Sequence, residues 1–202
     1  MTPTMTRTTA WILALAAMLL LFAACKDLKT PAQQALDSVT AAVNAVTDTA
    51  TIYAPQELAK VQNALTGLQQ AFGLKEYQKV IDQAPQLLGQ VDALKGAVEA
   101  RKSELGTAWN ALTSGLPGVV DAIKSRVDIL SQAKKLPAGM TPDMLASAQQ
   151  GLADMTAAWG AATAAASADN LVDAVAKGDQ VKSMAAQVMT SLGMQAPPAL
   201  AN

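Results

Sequence analysis

Few side chains in this sequence are suited to covalent or metal chemistry. The 202 residues include no histidine and a single cysteine, Cys25. Ser-His-Asp triads, imidazole zinc sites and the commonest general base of enzymes all need histidine. A metal site would need carboxylates alone, and the sequence shows no tight acidic cluster. We therefore predict that the protein is not an enzyme and has no catalytic residues, metal ligands or cofactor.

Ser131 and Lys134 match Ser-x-x-Lys, the nucleophile motif of penicillin-recognising enzymes. That chemistry needs an α/β scaffold, further Ser and Lys motifs and an oxyanion hole. The sequence gives no sign of these, so we interpret both residues as solvated positions on a helix.

The segment before Cys25 has the properties of a secretory signal. Arg7 is the only charged residue before Lys26, and an apolar stretch over 11–24 ends in two alanines directly before the cysteine. This stretch is shorter than the roughly 20 residues that span a bilayer. It predicts export rather than a membrane-spanning helix.

Ala23-Ala24-Cys25 resembles the lipobox of bacterial lipoproteins, with Phe22 where leucine is usual. The resemblance implies that Cys25 is acylated and becomes the first residue of the mature chain, anchored durably by its acyl chains. Lys26 stands where aspartate would retain an enterobacterial lipoprotein in the inner membrane, which implies the outer membrane, facing the periplasm. The alternative is an ordinary signal peptide cleaved elsewhere, with Cys25 left as a free thiol.

Composition predicts an all-α fold. Apolar residues make up 51% of the chain and aromatic residues only 3%, and the abundant alanine has the highest helix propensity. The net charge of −1 argues against nucleic acid, which requires a basic patch. The predicted organisation is a signal peptide over 1–24, a lipidated tether over 25–29, a helical domain over 30–193 and a disordered tail over 194–202.

Apolar residues recur at spacings of three and four, which predicts about five helices packed as an elongated antiparallel bundle or coiled coil. Thr30, followed by proline, predicts the N-cap of the first helix. Pro55 predicts the end of that helix near Ile52 and the start of the second. Gly73 is placed for the left-handed residue that ends a helix.

The last two helices have clear boundary signals as well. A turn is expected over 136–140, and Thr141-Pro142 predicts an N-cap followed by proline at the first helical position. The fifth helix is expected to start around Asp169 and to stop at Gly193.

One apolar stripe runs from Tyr77 to Leu130 and keeps its phase across 114–118, a segment that contains glycine and proline. Because a loop would usually reset the phase, we favour one very long central helix from about Tyr77 to Lys135. The alternative is two helices joined at 114–118.

Three basic residues, Lys95, Lys102 and Arg126, interrupt this stripe. One interpretation is that their stems lie on apolar surface with the charge in water. Alternatively, they mark a place where the helix has no partner or meets a second chain.

Two parts of the sequence align as a possible duplicated helical hairpin. Pro55 aligns with Pro142 at a shift of 87 positions, and Tyr77 aligns with Leu171 at a shift of 94. The difference is one heptad, inserted near the hairpin tip. The alternative is a chance alignment of two heptad stripes.

The segment Tyr53-Ala54-Pro55-Gln56-Glu57-Leu58, with the helix, short turn and tyrosine that follow, resembles a tetratricopeptide-like helical hairpin of bacterial envelope lipoproteins. The resemblance covers roughly residues 25–100 and departs from the family pattern at Val61 and Val80, where the family has alanine. The family is largely of unknown function. The resemblance implies an envelope location and helical hairpins.

Trp109 and Trp159 both fall on apolar stripes. They are interpreted as packed core or as the lining of a small apolar pocket or interface between helices. We predict an outer-membrane-anchored periplasmic helical lipoprotein with a structural or protein-interaction role. The alternative is a helical binding module for an apolar ligand or lipid. The sequence indicates neither the partner nor the oligomeric state.

Overall fold

The computed structural model describes residues 27–197 and residue 200, and this part of the chain contains helices and no strand. The helices are α1 (Lys29–Tyr53), α2 (Pro55–Gly73), α3 (Tyr77–Gln132), α4 (Pro142–Ser167) and α5 (Leu171–Ser191). The predicted all-α fold of about five helices with one very long helix is confirmed. The predicted signal peptide and Cys25 lie outside the described residues.

Helix α3 is continuous over 56 residues. It passes through 114–118 without a break, so the prediction of one helix is confirmed and the two-helix alternative is wrong. Proline inside a helix removes one hydrogen bond and crowds the preceding turn. Here Leu116 and Val119, on either side of the proline, are both buried, and their burial offsets part of that cost. The helix ends at Gln132, three residues before the predicted Lys135.

The chain divides into two compact units. The described part of the N-terminal unit comprises residues 27–46 and 59–92, and that of the C-terminal unit comprises 47–58, 93–197 and 200. Helices α1, α2 and α3 therefore each contribute residues to both units.

Each unit has a core of aliphatic side chains, and complete burial of such a side chain contributes about 1.5–3 kcal/mol. The N-terminal unit buries residues at helical spacing, namely Ala32, Leu36, Val39, Val43, Val61, Leu65, Leu68, Ala71, Val80, Ala84, Leu87 and Val91. The C-terminal unit buries one cluster from α3, α4 and α5, formed by Leu112, Leu116, Val119, Ile123, Val127, Leu130, Ala148, Met155, Val181, Ala185, Val188, Met189 and Leu192.

The buried face of α3 departs from the predicted stripe by one residue at some positions. Leu94 is buried in place of Lys95, and Val127 is buried in place of Arg126. A strict heptad stripe drifts by about 20° per heptad on a straight helix. The true buried face therefore shifts by one residue, and Lys95, which is exposed, does not interrupt it.

Two of the predicted helix-end residues are wrong. At the start of α1, the carboxylate of Asp27 accepts the Lys29 N–H at 3.0 Å and the Thr30 hydroxyl at 3.4 Å, so Asp27 takes the capping role predicted for Thr30. At the end of α2, Gly73 is the last helical residue, and Lys75 has the left-handed conformation at φ 62°. The Asp27 carboxylate precedes Thr30 and takes its place as acceptor, and α2 continues through Gly73, so the left-handed residue comes two positions later than expected.

Two other helix ends match the prediction. The Thr141 hydroxyl accepts the Met144 N–H at 3.2 Å with Pro142 at the first helical position. Gly193 follows α5 with φ 64°, a conformation that costs glycine little. Asn170, one residue after the predicted start, caps α5 by accepting the Asp173 N–H at 3.1 Å.

The α2–α3 and α4–α5 connections share one backbone geometry. Each has three residues between the helices, and the middle residue has a positive φ, 62° at Lys75 and 55° at Asp169. The backbone N–H groups of the three connecting residues make the same hydrogen bonds in both turns, at 2.9–3.1 Å. The first residue donates to the carbonyl four residues earlier, the second to the carbonyl three residues earlier and the third to the carbonyl five residues earlier. Helix α4 has 26 residues and α2 has 19, so the difference is the expected heptad. This geometry supports the hypothesis of a duplicated hairpin.

Candidate functional site

Cys25, the predicted lipidation site, lies outside the described residues. The described chain begins at Asp27 and enters α1 at Lys29. Only a few residues therefore separate the cysteine from the first helix. A lipid at this position would hold the start of α1 close to the membrane.

The structure brings Trp109 of α3 and Trp159 of α4 together. Their rings stack with centroids 5.4 Å apart and an interplanar angle of 21°. Both side chains are half-buried and pack against the aliphatic cluster of the C-terminal unit. Each indole fills the space beside the other, a favourable geometry for aromatic pairs. This arrangement favours a packed edge of the core over an open pocket.

Tyr53, the last residue of α1, contacts the α4–α5 turn. Its side chain is buried, and its hydroxyl donates to the Asp169 carbonyl at 2.6 Å and accepts the Leu171 N–H at 3.1 Å. Both contacts go to the backbone at the point where the chain reverses. Tyr53 therefore fixes the position of this turn within the C-terminal unit.

Lys102 of α3 binds the side chain of the same turn. Its Nζ lies 2.7 Å from Oδ2 of Asp169 and 5.3 Å from the centre of the Tyr53 ring, within the range of a cation–π contact. The hydrogen bond to Asp169 raises the pKa of Lys102, helped by the charges of Asp169, Tyr53 and Glu99 and opposed by desolvation. Neither alternative given for this lysine included this contact, which lies within its own chain.

Tyr53, Lys102 and Asp169 together form what we call the turn clamp. Sequence analysis missed it because Tyr53 and Asp169 are 116 residues apart and Lys102 and Asp169 are 67 apart. Two weak signals were present. Tyr53 opens the resembling motif, and Asp is one of the few residues that tolerate a left-handed turn. The polar groups of the clamp are engaged with each other or with backbone, so its evident role is structural.

Arg126 lies beside the buried face of α3 and forms no ion pair within the described chain. Its Nε is buried and has no hydrogen-bond partner among the residues described. The neighbouring Val127 fills the core position. The arginine is therefore tolerated beside the core and is not part of a charged site visible in this part of the chain.

Ser131 is engaged by the fold rather than poised as a nucleophile. Its hydroxyl donates to the Val127 carbonyl at 2.8 Å and accepts from the Gln149 side chain at 2.9 Å. Because α3 ends at Gln132, Lys134 does not share a helical turn with the serine. These contacts support the interpretation of Ser131 as an ordinary helix-end residue.

An open groove of about 470 Å³ lies between α2 and α3 in the N-terminal unit. Buried Leu68, Ala71 and Leu87 form part of its lining, together with the exposed ion pair of Glu76 and Lys79 at 2.8 Å. The remaining lining is rich in glutamine, at positions 70, 83, 86 and 90. Sequence analysis missed this groove, although the glutamines at 83, 86 and 90 follow helical spacing on α3.

Within residues 27–197 and 200, the carboxylates do not gather in threes around a point where a metal ion would fit. No helix of this range combines the length and apolar character needed to cross a membrane. No protein-family model matches the chain, and no curated protein or solved structure is detectably similar to it.

Proposed function

We propose that this protein is a lipid-anchored helical protein of the bacterial cell envelope, attached through Cys25 to the outer membrane and facing the periplasm. The observation that carries the proposal is the leader, in which an apolar segment ends in Ala23-Ala24 directly before the only cysteine. Acylation would use the one thiol that could otherwise cross-link in an oxidising compartment.

The folded part supports a structural or protein-interaction role. The polar groups of the turn clamp bind one another and the backbone. The buried side chains of the described residues are otherwise aliphatic or small. Such a body presents helical surfaces and turns to a protein partner, and the lipid keeps it at the membrane.

Metabolic labelling with palmitate in cells that secrete the protein tests the anchor. The wild-type chain should incorporate label, and globomycin, which blocks the lipoprotein signal peptidase, should cause the precursor to accumulate. The Cys25→Ser variant should incorporate no palmitate, and globomycin should not cause its precursor to accumulate. An unlabelled wild-type chain, or a precursor that does not respond to globomycin, would refute lipidation.

Fractionation of the two membranes tests the location. The wild-type protein should separate with the outer membrane, and Lys26→Asp should shift it to the inner membrane of an enterobacterial host. A conservative Lys26→Arg variant is the matched control and should leave the distribution unchanged. Wild-type protein found in the inner membrane would contradict the proposed location.

The alternative, a binding module for an apolar ligand or lipid, rests on the half-buried pair Trp109 and Trp159. Since the rings stack on each other, a ligand there would have to part them. Tryptophan emission that shifts on titration with a phospholipid or fatty acid, and no longer shifts in Trp159→Phe, would favour this function over the structural one.

A further inference from the structure

The turn between α2 and α3 exposes an aliphatic side chain at its tip. Leu74 has 72% of its surface exposed, more than the other two exposed large hydrophobic residues of the described chain, Ile52 and Ile129. A single exposed leucine is common on protein surfaces and needs no explanation by itself. Leu74 is of interest because its turn lies beside the start of α1, which follows the proposed lipid anchor.

The start of α1 lies beside this turn. Leu28 lines one surface depression together with residues 75–79, which form the end of the turn and the first residues of α3. Cys25 precedes Leu28 by three residues, so their Cα atoms are at most about 11 Å apart, since successive Cα atoms are separated by 3.8 Å. The acyl chains of a lipidated Cys25 would therefore enter the bilayer close to the turn.

The same region is basic. Among the described residues, the lysines at positions 29, 75 and 79 outnumber the two acids, Asp27 and Glu76. Glu76 is already paired with Lys79 at 2.8 Å, whereas Lys75 is exposed at the middle of the turn. A surface with this balance is attracted to anionic lipid headgroups.

We propose that the α2–α3 turn and the start of α1 form the face of the N-terminal unit that rests on the membrane. Leu74 enters the lipid interface, and Lys75 contacts anionic headgroups. This inference rests on the lipidation of Cys25 proposed above. It adds an orientation, because lipid and turn together make two contacts with the bilayer where the lipid alone would leave the helices free to swing.

An environment-sensitive fluorophore tests the orientation. Lipidation consumes the Cys25 thiol, so a cysteine introduced by Leu74→Cys is the only free thiol of the lipid-bearing protein, and Ile129→Cys is the matched control. Ile129 is also aliphatic and 62% exposed, but it lies on α3 in the C-terminal unit. The labelled proteins are reconstituted on phosphatidylcholine vesicles with and without phosphatidylglycerol.

We expect the emission at position 74 to shift to the blue on phosphatidylglycerol vesicles and to be quenched by spin-labelled lipid. The emission at position 129 should remain that of an aqueous dye. Adding Lys75→Gln should reduce the shift at position 74, and raising the salt concentration should do the same because salt screens exposed charges.

The possible failures are distinguishable. Mass spectrometry of the N-terminal peptide first establishes whether Cys25 carries lipid, and its absence would refute the anchor itself. An aqueous spectrum at position 74 on a lipid-bearing protein would refute the membrane-facing turn alone. Blue-shifted emission without vesicles would show that a second copy covers Leu74 and would overturn the proposal in favour of self-association.

Discussion

Tyr53 and Lys102 hold the α4–α5 turn through different parts of Asp169. The tyrosine hydroxyl binds the backbone on both sides of the reversal, and the lysine binds the carboxylate. The backbone contacts are the stronger constraint, because a buried hydroxyl that loses its partners costs more than an exposed ion pair contributes. These two contributions can be separated by substitution.

Tyr53→Phe should lower the free energy of unfolding by about 1–2 kcal/mol, because it leaves the Asp169 carbonyl and the Leu171 N–H without their common partner. Urea denaturation followed by circular dichroism measures the change. Tyr77→Phe is the control, since the Tyr77 hydroxyl has no hydrogen bond within the described chain, and its effect should stay below about 0.5 kcal/mol. Equal effects of the two substitutions would contradict the turn clamp.

The ion pair of Lys102 predicts a pH dependence of stability. The folded state raises the pKa of Lys102 above its ordinary value of 10.5, so the folded chain holds this proton more tightly than the unfolded chain. The stabilisation is therefore complete below pH 10.5 and is lost as the pH rises through the folded pKa. Exposed pairs contribute little, about 0.5 kcal/mol.

Comparison of the wild type with Lys102→Met, which keeps most of the aliphatic stem, measures this contribution. The difference in unfolding free energy should be constant from neutral pH to about pH 10 and should shrink at higher pH. Lys124→Met, at an exposed lysine without an ion pair in the described chain, should show no such trend. A difference that grows with pH would refute the assigned sign.

At the scale of the helices, the sequence predicted those features that depend on neighbouring residues. Pro55 and Thr141-Pro142 mark helix starts because proline fits the first turn, and the unbroken stripe across 114–118 correctly indicated one helix. Two features of the helices were missed. The cap by Asp27 is also local, but Asp27 and Thr30 are both suitable acceptors and the sequence does not decide between them. The one-residue shift to Leu94 follows from the drift of a heptad stripe on a straight helix.

In the candidate site, too, the sequence predicted which residues matter locally but not the contacts between distant elements. Trp109 and Trp159 were identified from helical spacing, but their stacking depends on the pairing of α3 with α4, which the spacing does not specify. The role of Lys102 could not be predicted because its partner lies on a turn 67 residues away. The lipidation signal at Cys25 is a local pattern, and it remains a prediction.

Helices α4 and α5 pack closely enough that one glycine is required on their shared face. A Cβ added at Gly151 would lie 2.6 Å from Cγ2 of Val188, whereas a Cβ at Gly160 on the same helix would meet nothing within 4 Å. Valine in a helix is nearly restricted to one χ1 rotamer, so Val188 cannot move aside easily.

Gly160→Ala should therefore raise the free energy of unfolding by about 0.5–1 kcal/mol through helix propensity. Gly151→Ala gains the same propensity but should be destabilising overall by about 1 kcal/mol, since overpacking typically costs 1–3 kcal/mol. Urea denaturation of the two variants shows whether each substitution raises or lowers the free energy of unfolding. Stabilisation by both would mean that α4 and α5 are farther apart than described here.

For the whole molecule, the recurrence of one turn geometry in two places is the most informative feature. The two turns share their hydrogen bonds and the positive φ of the middle residue, yet they differ in what that residue does. The side chain of Lys75 has no ion pair or hydrogen bond within the described chain, whereas the side chain of Asp169 binds Lys102. A duplicated hairpin would thus have kept its backbone while the side chains acquired different roles, a surface contact in one copy and an internal clamp in the other.

Glycine at each middle position tests this account. Lys75→Gly should raise the free energy of unfolding by about 1 kcal/mol, because it relieves a left-handed conformation without removing a contact. Asp169→Gly relieves less strain, because aspartate tolerates the left-handed conformation better than lysine does, and it also loses an ion pair worth about 0.5 kcal/mol. Its net effect should therefore be near zero, while Tyr53 keeps its backbone contacts. Lys60→Gly, inside α2, should be destabilising by about 1 kcal/mol and controls for the substitution itself. If Lys75→Gly and Asp169→Gly stabilised the protein equally, the ion pair of Asp169 with Lys102 would contribute nothing measurable, and the two turns would be equivalent in side chain as well as in backbone.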